Sequence, residues 1–218
     1  MQQQHSELNK LNAVFVCGPW GSGTSLVTKL LLKVGFLGLE PYFMTNDPKT
    51  PNSYEAVAFR NLLMRYCDEE FISRKVSKDL IISELIKFQQ SLTPLVADKP
   101  TEIRARPFVF KHALSALILE ELNSVFDCQF IFVKRPLEEI EAGRLRRDWR
   151  PYLGAQGAEI INGEIEKFAR THPQNSFFLD YKKLTSTPKE TIQALLTFLN
   201  VKAAENGIKI ISQIVRPA

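Results

Sequence analysis

The sequence predicts an α/β fold of three layers, a central parallel sheet flanked by helices. Two observations carry that expectation: strand-like and helix-like stretches alternate along the chain, and a glycine-rich turn joins the first strand to the first helix. The composition agrees. With 218 residues, 44% hydrophobic and 24% charged, the chain has the balance of a water-soluble globular protein with enough length for a sizeable core, which excludes disordered and collagen-like classes.

The elements follow in order. Residues 13–17, AVFVC, form a β-branched and aromatic run ending at Gly18, and residues 26–34 carry Leu26, Val27, Leu30, Leu31 and Val34 at helical spacing, with Gly35 as the C-terminal cap. Residues 41–51, YFMTNDPKTPN, read as an irregular, substrate-contacting loop or lid. Residues 53–71 and 77–92 read as helices, the second with an apolar stripe of Leu80, Ile81, Leu85, Ile86 and Phe88 assigned to packing. A second strand is expected at 108–110 with a helix over 113–123, and a third at 129–133 with a helix after Pro136. A fourth, at 176–179, is followed by a loop and a helix over 188–199, whose first turn tolerates Pro188. There is no internal repeat.

Charge and cysteine usage narrow the partners. Lys plus Arg number 28 against 24 Asp plus Glu, a net +4, and without a long basic tract nothing calls for nucleic acid. Arg144, Arg146, Arg147 and Arg150 form a local cationic group that suits either a small polyanion or a solvated helix face. Cys17, Cys67 and Cys128 lack metal-ligand spacing, so buried free thiols in a reducing cytoplasm and no metal are expected. The polar start MQQQHSELNK and the lack of an apolar run near 18 residues predict neither secretion nor a membrane span.

The segment from Gly18 to Ser25, GPWGSGTS, stands where a phosphate-binding turn belongs. Its amides can converge on an anion, the following helix start adds partial positive charge, and Thr24 and Ser25 add hydroxyls. Gly18 and Gly23 have Walker A spacing, but Thr24 replaces the lysine that reaches the β- and γ-phosphates. Such a loop suits a donor with a 5′-phosphate and no transferable γ-phosphate.

Three stretches in order resemble the sulfotransferases that use 3′-phosphoadenosine 5′-phosphosulfate (PAPS), in their bacterial-type, P-loop-like form. VFVCGPWGSGTSLVTKLL resembles the 5′-phosphosulfate loop, FIFVKRPLEEIEAGRLRR at 130–147 the 3′-phosphate segment, and FFLDYKKLTSTPKETIQALLTFLNV at 177–201 the late strand, tyrosine turn and helix. The resemblance implies a P-loop NTPase-like, sulfotransferase-like domain over residues 1–218, with 1–10 a flexible N-terminal segment. It implies PAPS as donor and its desulfated product PAP, a small-molecule or carbohydrate acceptor sulfated on a hydroxyl or amine, no metal, and a cytoplasmic setting.

By the same resemblance Gly21, Ser22, Gly23, Thr24 and Ser25 hold the phosphosulfate, Arg135 the 3′-phosphate, and Tyr181 lies near the adenine. Trp20 packs under the nucleotide or closes the core. Gly143 falls where the family commonly has a serine on the 3′-phosphate, with Arg144 or Arg147 as its replacement. Gly21 stands where the family usually has Lys or Arg, and Lys111 and His112 are the substitutes, Lys111 to stabilise the sulfuryl group and His112 to take the acceptor's proton. Asp98 and Glu102 are weaker candidates for the base, and His5 and His172 sit in polar loops. The family's C-terminal glycine-rich clamp has no counterpart in NGIKIISQIVRPA. Tyr42, Phe43, Met44 and Tyr54 suit an apolar acceptor pocket or simple packing, whereas Asn46, Asp47 and Asn52 suit a sugar. Two other readings stay open: a non-catalytic nucleotide-binding module and an ATP-dependent phosphotransferase.

Overall fold

Strand alternation sorts the core into two chemically distinct halves. The computed structural model describes residues 10–48 and 50–201. Its elements run β1 (Asn12–Cys17), α1 (Thr24–Lys33), β2 (Tyr42–Met44), β3 (Asn52–Ala56), α2 (Val57–Tyr66), β4 (Cys67–Asp68), β5 (Ser73–Arg74), α3 (Lys78–Ala97) and α4 (Thr101–Arg104). They continue through β6 (Phe108–Lys111), α5 (Leu119–Val125), β7 (Asp127–Lys134), α6 (Leu137–Arg146), α7 (Ala155–Thr171), β8 (Ser176–Asp180), α8 (Tyr181–Ser186) and α9 (Pro188–Phe198). Successive strand residues point to opposite faces. Phe15, Phe108, Phe110, Phe130 and Phe132 therefore enter one core, covered by α2, α3, α5 and α7. Val14, Val16, Val109, Ile131 and Val133 enter the other, covered by α1, α8 and α9.

The main sheet is parallel throughout, in the order β6-β1-β7-β8. Phe15 is the hinge of the aromatic half, pairing in register with Phe110 and Phe130 and stacking on both at 5.6 and 5.7 Å. Because all four strands run the same way, the residues that leave β1, β6, β7 and β8 emerge along one edge. In open parallel sheets that edge is where ligands bind. Here it presents Gly18, Lys111, Arg135 and Tyr181.

Several expected elements differ in detail. Residues 41–53 are not irregular throughout: β2 and β3 pair as an antiparallel hairpin. Helix does not begin at 53, because Ser53 and Glu55 turn inward from β3 before α2 starts at Val57. Residues 113–118 form a tight 3-10 turn, and α-helix begins only at Leu119. The loop after β8 is the short helix α8, started by Asp180, whose carboxylate accepts from the amides of Lys182 and Lys183. Helix α7 was not anticipated, although Ile161, Ile165 and Phe168 have helical spacing and are buried. In α3, Leu80 is exposed while Ile81, Leu85 and Phe88 are buried, so the packing stripe is narrower than expected. No helix of the described residues is long and apolar enough to cross a membrane.

Candidate active site

The strand ends open into a cavity of about 680 Å³ whose wall includes Trp20, Gly21, Gly23, Thr24 and Ser25 of the turn and Lys111, Arg135, Arg147 and Tyr181 from elsewhere. The turn is shaped by its backbone. Gly21 and Gly23 have φ of 80° and 102°, left-handed conformations that favour glycine. Gly23 also lies so close to Tyr181 that a Cβ there would run into the ring. The Ser22 hydroxyl is fully buried and has no hydrogen-bond partner among the described residues. Ser22 is nevertheless not on the cavity wall: its hydroxyl packs against Gly18 and its amide donates to the Pro19 carbonyl at 3.1 Å, so its side chain is not placed for the expected contact with the phosphosulfate. The Ser25 hydroxyl is committed elsewhere: it donates to the Ser53 carbonyl at 3.0 Å and ties the turn to β3. Trp20 is half-buried against the aromatic core and also reaches the cavity wall.

Arg135 emerges from β7, donates from Nη1 to the Gly21 carbonyl at 2.9 Å and from Nε to Glu139 at 2.9 Å, and stacks over Tyr181 with its guanidinium carbon 4.6 Å from the ring centroid. It is thereby fixed at the rim of the turn. At the end of α6, Arg147 donates to Asp47 at 2.6 Å and lies over Trp149 at 4.6 Å. A Cβ at Gly21 would sit 3.8 Å from Arg147 Nη1, so this guanidinium occupies the space beside the position that lacks a cationic side chain. Gly143 is not on the cavity wall; its carbonyl accepts from Arg147 at 3.4 Å. Arg144 does not take over the missing serine's place, because it bonds Glu141 and the Trp149 carbonyl.

Lys111 ends β6, is nearly buried, and donates to Glu55 at 2.7 Å. Glu55 also lies 3.6 Å from Arg60 and 3.8 Å from His112. Burial alone would raise the Glu55 carboxyl, but Lys111, His112 and Arg60 outweigh it and hold the group below the usual glutamate value. His112 is placed otherwise than its expected role as a base requires. It is buried and off the cavity wall, and Nδ1 accepts from the Leu114 amide at 3.1 Å, which leaves the ring proton on Nε2 facing Glu55. Burial, opposed by Glu55, lowers its pKa from 6.5 to about 4.

That shift has a definite sign. The folded pKa lies below the unfolded one, so the unfolded chain takes up the proton first and stability falls as pH drops from about 6.5 to about 4, by at most roughly 3 kcal/mol. The thermal midpoint is expected to fall across that window. His112→Asn, which keeps an acceptor for the Leu114 amide, is expected to flatten the dependence; an unchanged slope would contradict this account.

The other candidates separate clearly. Asp98 and Glu102 are exposed and away from the cavity, and His172 stacks on Phe168 at 4.3 Å. His5 with the rest of residues 1–9, expected as a flexible segment, and the residues after 201, where no clamp counterpart was expected, lie outside the described residues. Phe43 and Met44 reach the cavity, while Tyr42 and Tyr54 pack on each other at 5.7 Å. Asp47 is engaged with Arg147, Arg146 and Thr50, and Asn52 accepts from the Tyr54 amide. Cys17, Cys67 and Cys128 are buried free thiols, and burial pushes the Cys17 thiol up to about 12. Among the described residues no cluster of three His, Cys, Asp or Glu is placed to hold a metal ion. Sequence reasoning missed Glu55, Arg60, Glu69 and Trp149. The inward alternation of Ser53 and Glu55 was the available signal for the first of these.

Comparison with family models finds no match, and comparison with curated proteins finds none. Solved structures do match. The chain is similar to sulfotransferase STF1 from Mycobacterium tuberculosis with a TM-score of 0.64 at 15% identity, covering 94% of this chain and 71% of that one. The sulfotransferase domain of the Synechococcus PCC 7002 olefin synthase matches with a TM-score of 0.57 at 16% identity, covering 95% and 80%. Mouse sulfotransferase SULT7A1, complexed with PAP, matches with a TM-score of 0.53 at 10% identity, covering 95% and 64%. The fold is that of the sulfotransferases, a central parallel sheet flanked by helices.

Proposed function

We propose that this chain is a cytoplasmic sulfotransferase that moves a sulfuryl group from PAPS to a hydroxyl or amine of a small-molecule or carbohydrate acceptor. The carrying observation is the glycine-rich turn at the end of β1, whose Gly21, Gly23 and Thr24 line one cavity with Arg135 and Arg147. That donor set fits a nucleotide bearing phosphate at two positions: backbone amides of the turn for the 5′ side, the planar guanidinium of Arg135 for the 3′ side. The Tyr181 ring, already stacked with Arg135, offers a flat surface for the base. Bound there, PAPS supplies the sulfuryl group, and the pair of electrons of the broken sulfur–oxygen bond stays with the departing phosphate of PAP.

The chain's own residues do the rest. Lys111 presents an ammonium to the cavity from a nearly dry position, where a fixed cation stabilises charge developing on the group in transfer. Arg147, beside Gly21, adds a second cation at the turn. Glu55 is the carboxylate on the cavity wall next to Lys111, and it accepts the proton that the acceptor loses as its new bond to sulfur forms. His112 stands behind it, its neutral ring 3.8 Å from the Glu55 carboxylate.

Calorimetric titration with PAP, against ATP and adenosine 5′-phosphate, tests this reading without knowledge of the acceptor. Selective binding of PAP is expected. Preference for ATP, or no binding, would overturn it.

A further inference from the structure

Most charges around the cavity already face a partner. Asp47 takes Arg147 and Arg146, Glu55 takes Lys111 with Arg60 at 3.6 Å, and Arg135 is shared between Gly21 and Glu139. Glu69 is the exception. It stands on the same wall, half-buried, and among the described residues it makes no hydrogen bond and has no cationic nitrogen within 4.0 Å. Arg60 is the strongest cationic influence on it, yet that guanidinium is turned over the Phe43 ring, 4.3 Å from the centroid. The backbone that presents Glu69 is fixed, since Asp68 accepts from the amides of Glu70 and Phe71 at 2.9 and 3.0 Å. The wall it shares also carries the apolar groups of Phe43, Met44, Trp149 and Leu153.

We propose that the acceptor carries a cationic amine on an apolar body, and that Glu69 is the side chain that selects it; this rests on the sulfuryl-transfer reading of the same cavity. A carboxylate drawn partly out of water without a partner gains most from a ligand that brings a positive charge. Apolar side chains beside it give the remainder of such a ligand a surface to cover. A neutral sugar gains one hydrogen-bond acceptor there and no charge to pair with the carboxylate. A carboxylated acceptor is repelled. Burial raises the Glu69 carboxyl above its ordinary value, which an arriving ammonium would reverse.

The test uses three probes of one shape, 4-phenylbutylamine, 4-phenylbutan-1-ol and 4-phenylbutyrate, titrated calorimetrically into the full chain with and without PAP. The amine is expected to bind about 5- to 10-fold tighter than the alcohol, as suits a partly exposed ion pair, with the carboxylate weakest. Glu69→Gln is expected to erase the amine's advantage while leaving PAP affinity within about twofold, which also shows that the variant folds. Equal binding of amine and alcohol, or an advantage that survives Glu69→Gln, would overturn the proposal. The PAP titration judges the donor reading separately. An amine preference that depends on Glu69 in a chain that ignores PAP would sustain this site and sink sulfuryl transfer.

Discussion

Replacing Arg135 by alanine is expected to weaken PAP binding by about 100-fold and to leave adenosine 5′-phosphate within about threefold. The guanidinium is already held at two edges and one face, by the Gly21 carbonyl and Glu139 in its plane and by the Tyr181 ring against it. Little side-chain freedom remains to be lost when a phosphate arrives, so the charge-assisted bonds are realised nearly in full. Alanine also releases the Gly21 carbonyl, which loosens the turn and accounts for the small loss allowed for the 5′-phosphate nucleotide. Arg135→Lys separates the two contributions, since it keeps the charge and loses the planar fork. Equal losses for both nucleotides in Arg135→Ala would remove the 3′-phosphate assignment and leave Arg135 as a strut for the turn.

The fold was legible because its main signals are local. AVFVC before a glycine-rich turn, and later runs such as FIFV, state both the strand and the two-sided burial of a parallel sheet, and each lies within a residue or two of its place. The place of the glycine-rich turn was legible for the same reason, as were the places of Arg135 and Tyr181 on the cavity wall, since both directly follow strands. What could not be read depends on contacts across the chain. Asp47 looks like a polar loop residue until β2 and β3 bring it to Arg147, 100 positions away. Glu55 looks helical because SYEAVAFRNLL has helical composition, yet Ser53 and Glu55 turn inward from β3 and Lys111 meets Glu55 across the sheet's edge. His112 shows the converse error. A histidine after a strand suggests a base, but burial and the Leu114 amide commit its ring to structure. The Gly21 departure reads as a lost cation in sequence, whereas in space Arg147 lies beside it.

Lys111→Ala is expected to lower sulfuryl transfer by about 100- to 1000-fold while PAP affinity changes only severalfold. Transfer would be followed as PAP released in the presence of 4-phenylbutan-1-ol, whose hydroxyl can serve as the acceptor. The separation follows from geometry: Arg135, Arg147 and the turn hold the nucleotide, whereas Lys111 enters from β6 on the side of Glu55. Its removal also strips a buried carboxylate of its ammonium, which costs about 3–5 kcal/mol of stability. Lys111→Met combined with Glu55→Gln removes both charges and is expected to recover much of that stability without recovering transfer. The pH dependence distinguishes the two causes. In the native chain Glu55 is held below its ordinary value, so its contribution is present near neutrality and is lost as pH falls through that range. Without Lys111 burial pushes the same carboxyl upward, and its contribution is then lost as pH rises. The stability gap between the native chain and Lys111→Ala is therefore expected to be widest near pH 7 and to narrow toward about pH 4. A gap that stayed constant with pH, or transfer that survived the substitution, would show that the Lys111–Glu55 pair braces the strand edge and that the cation acting on the sulfuryl group is Arg147.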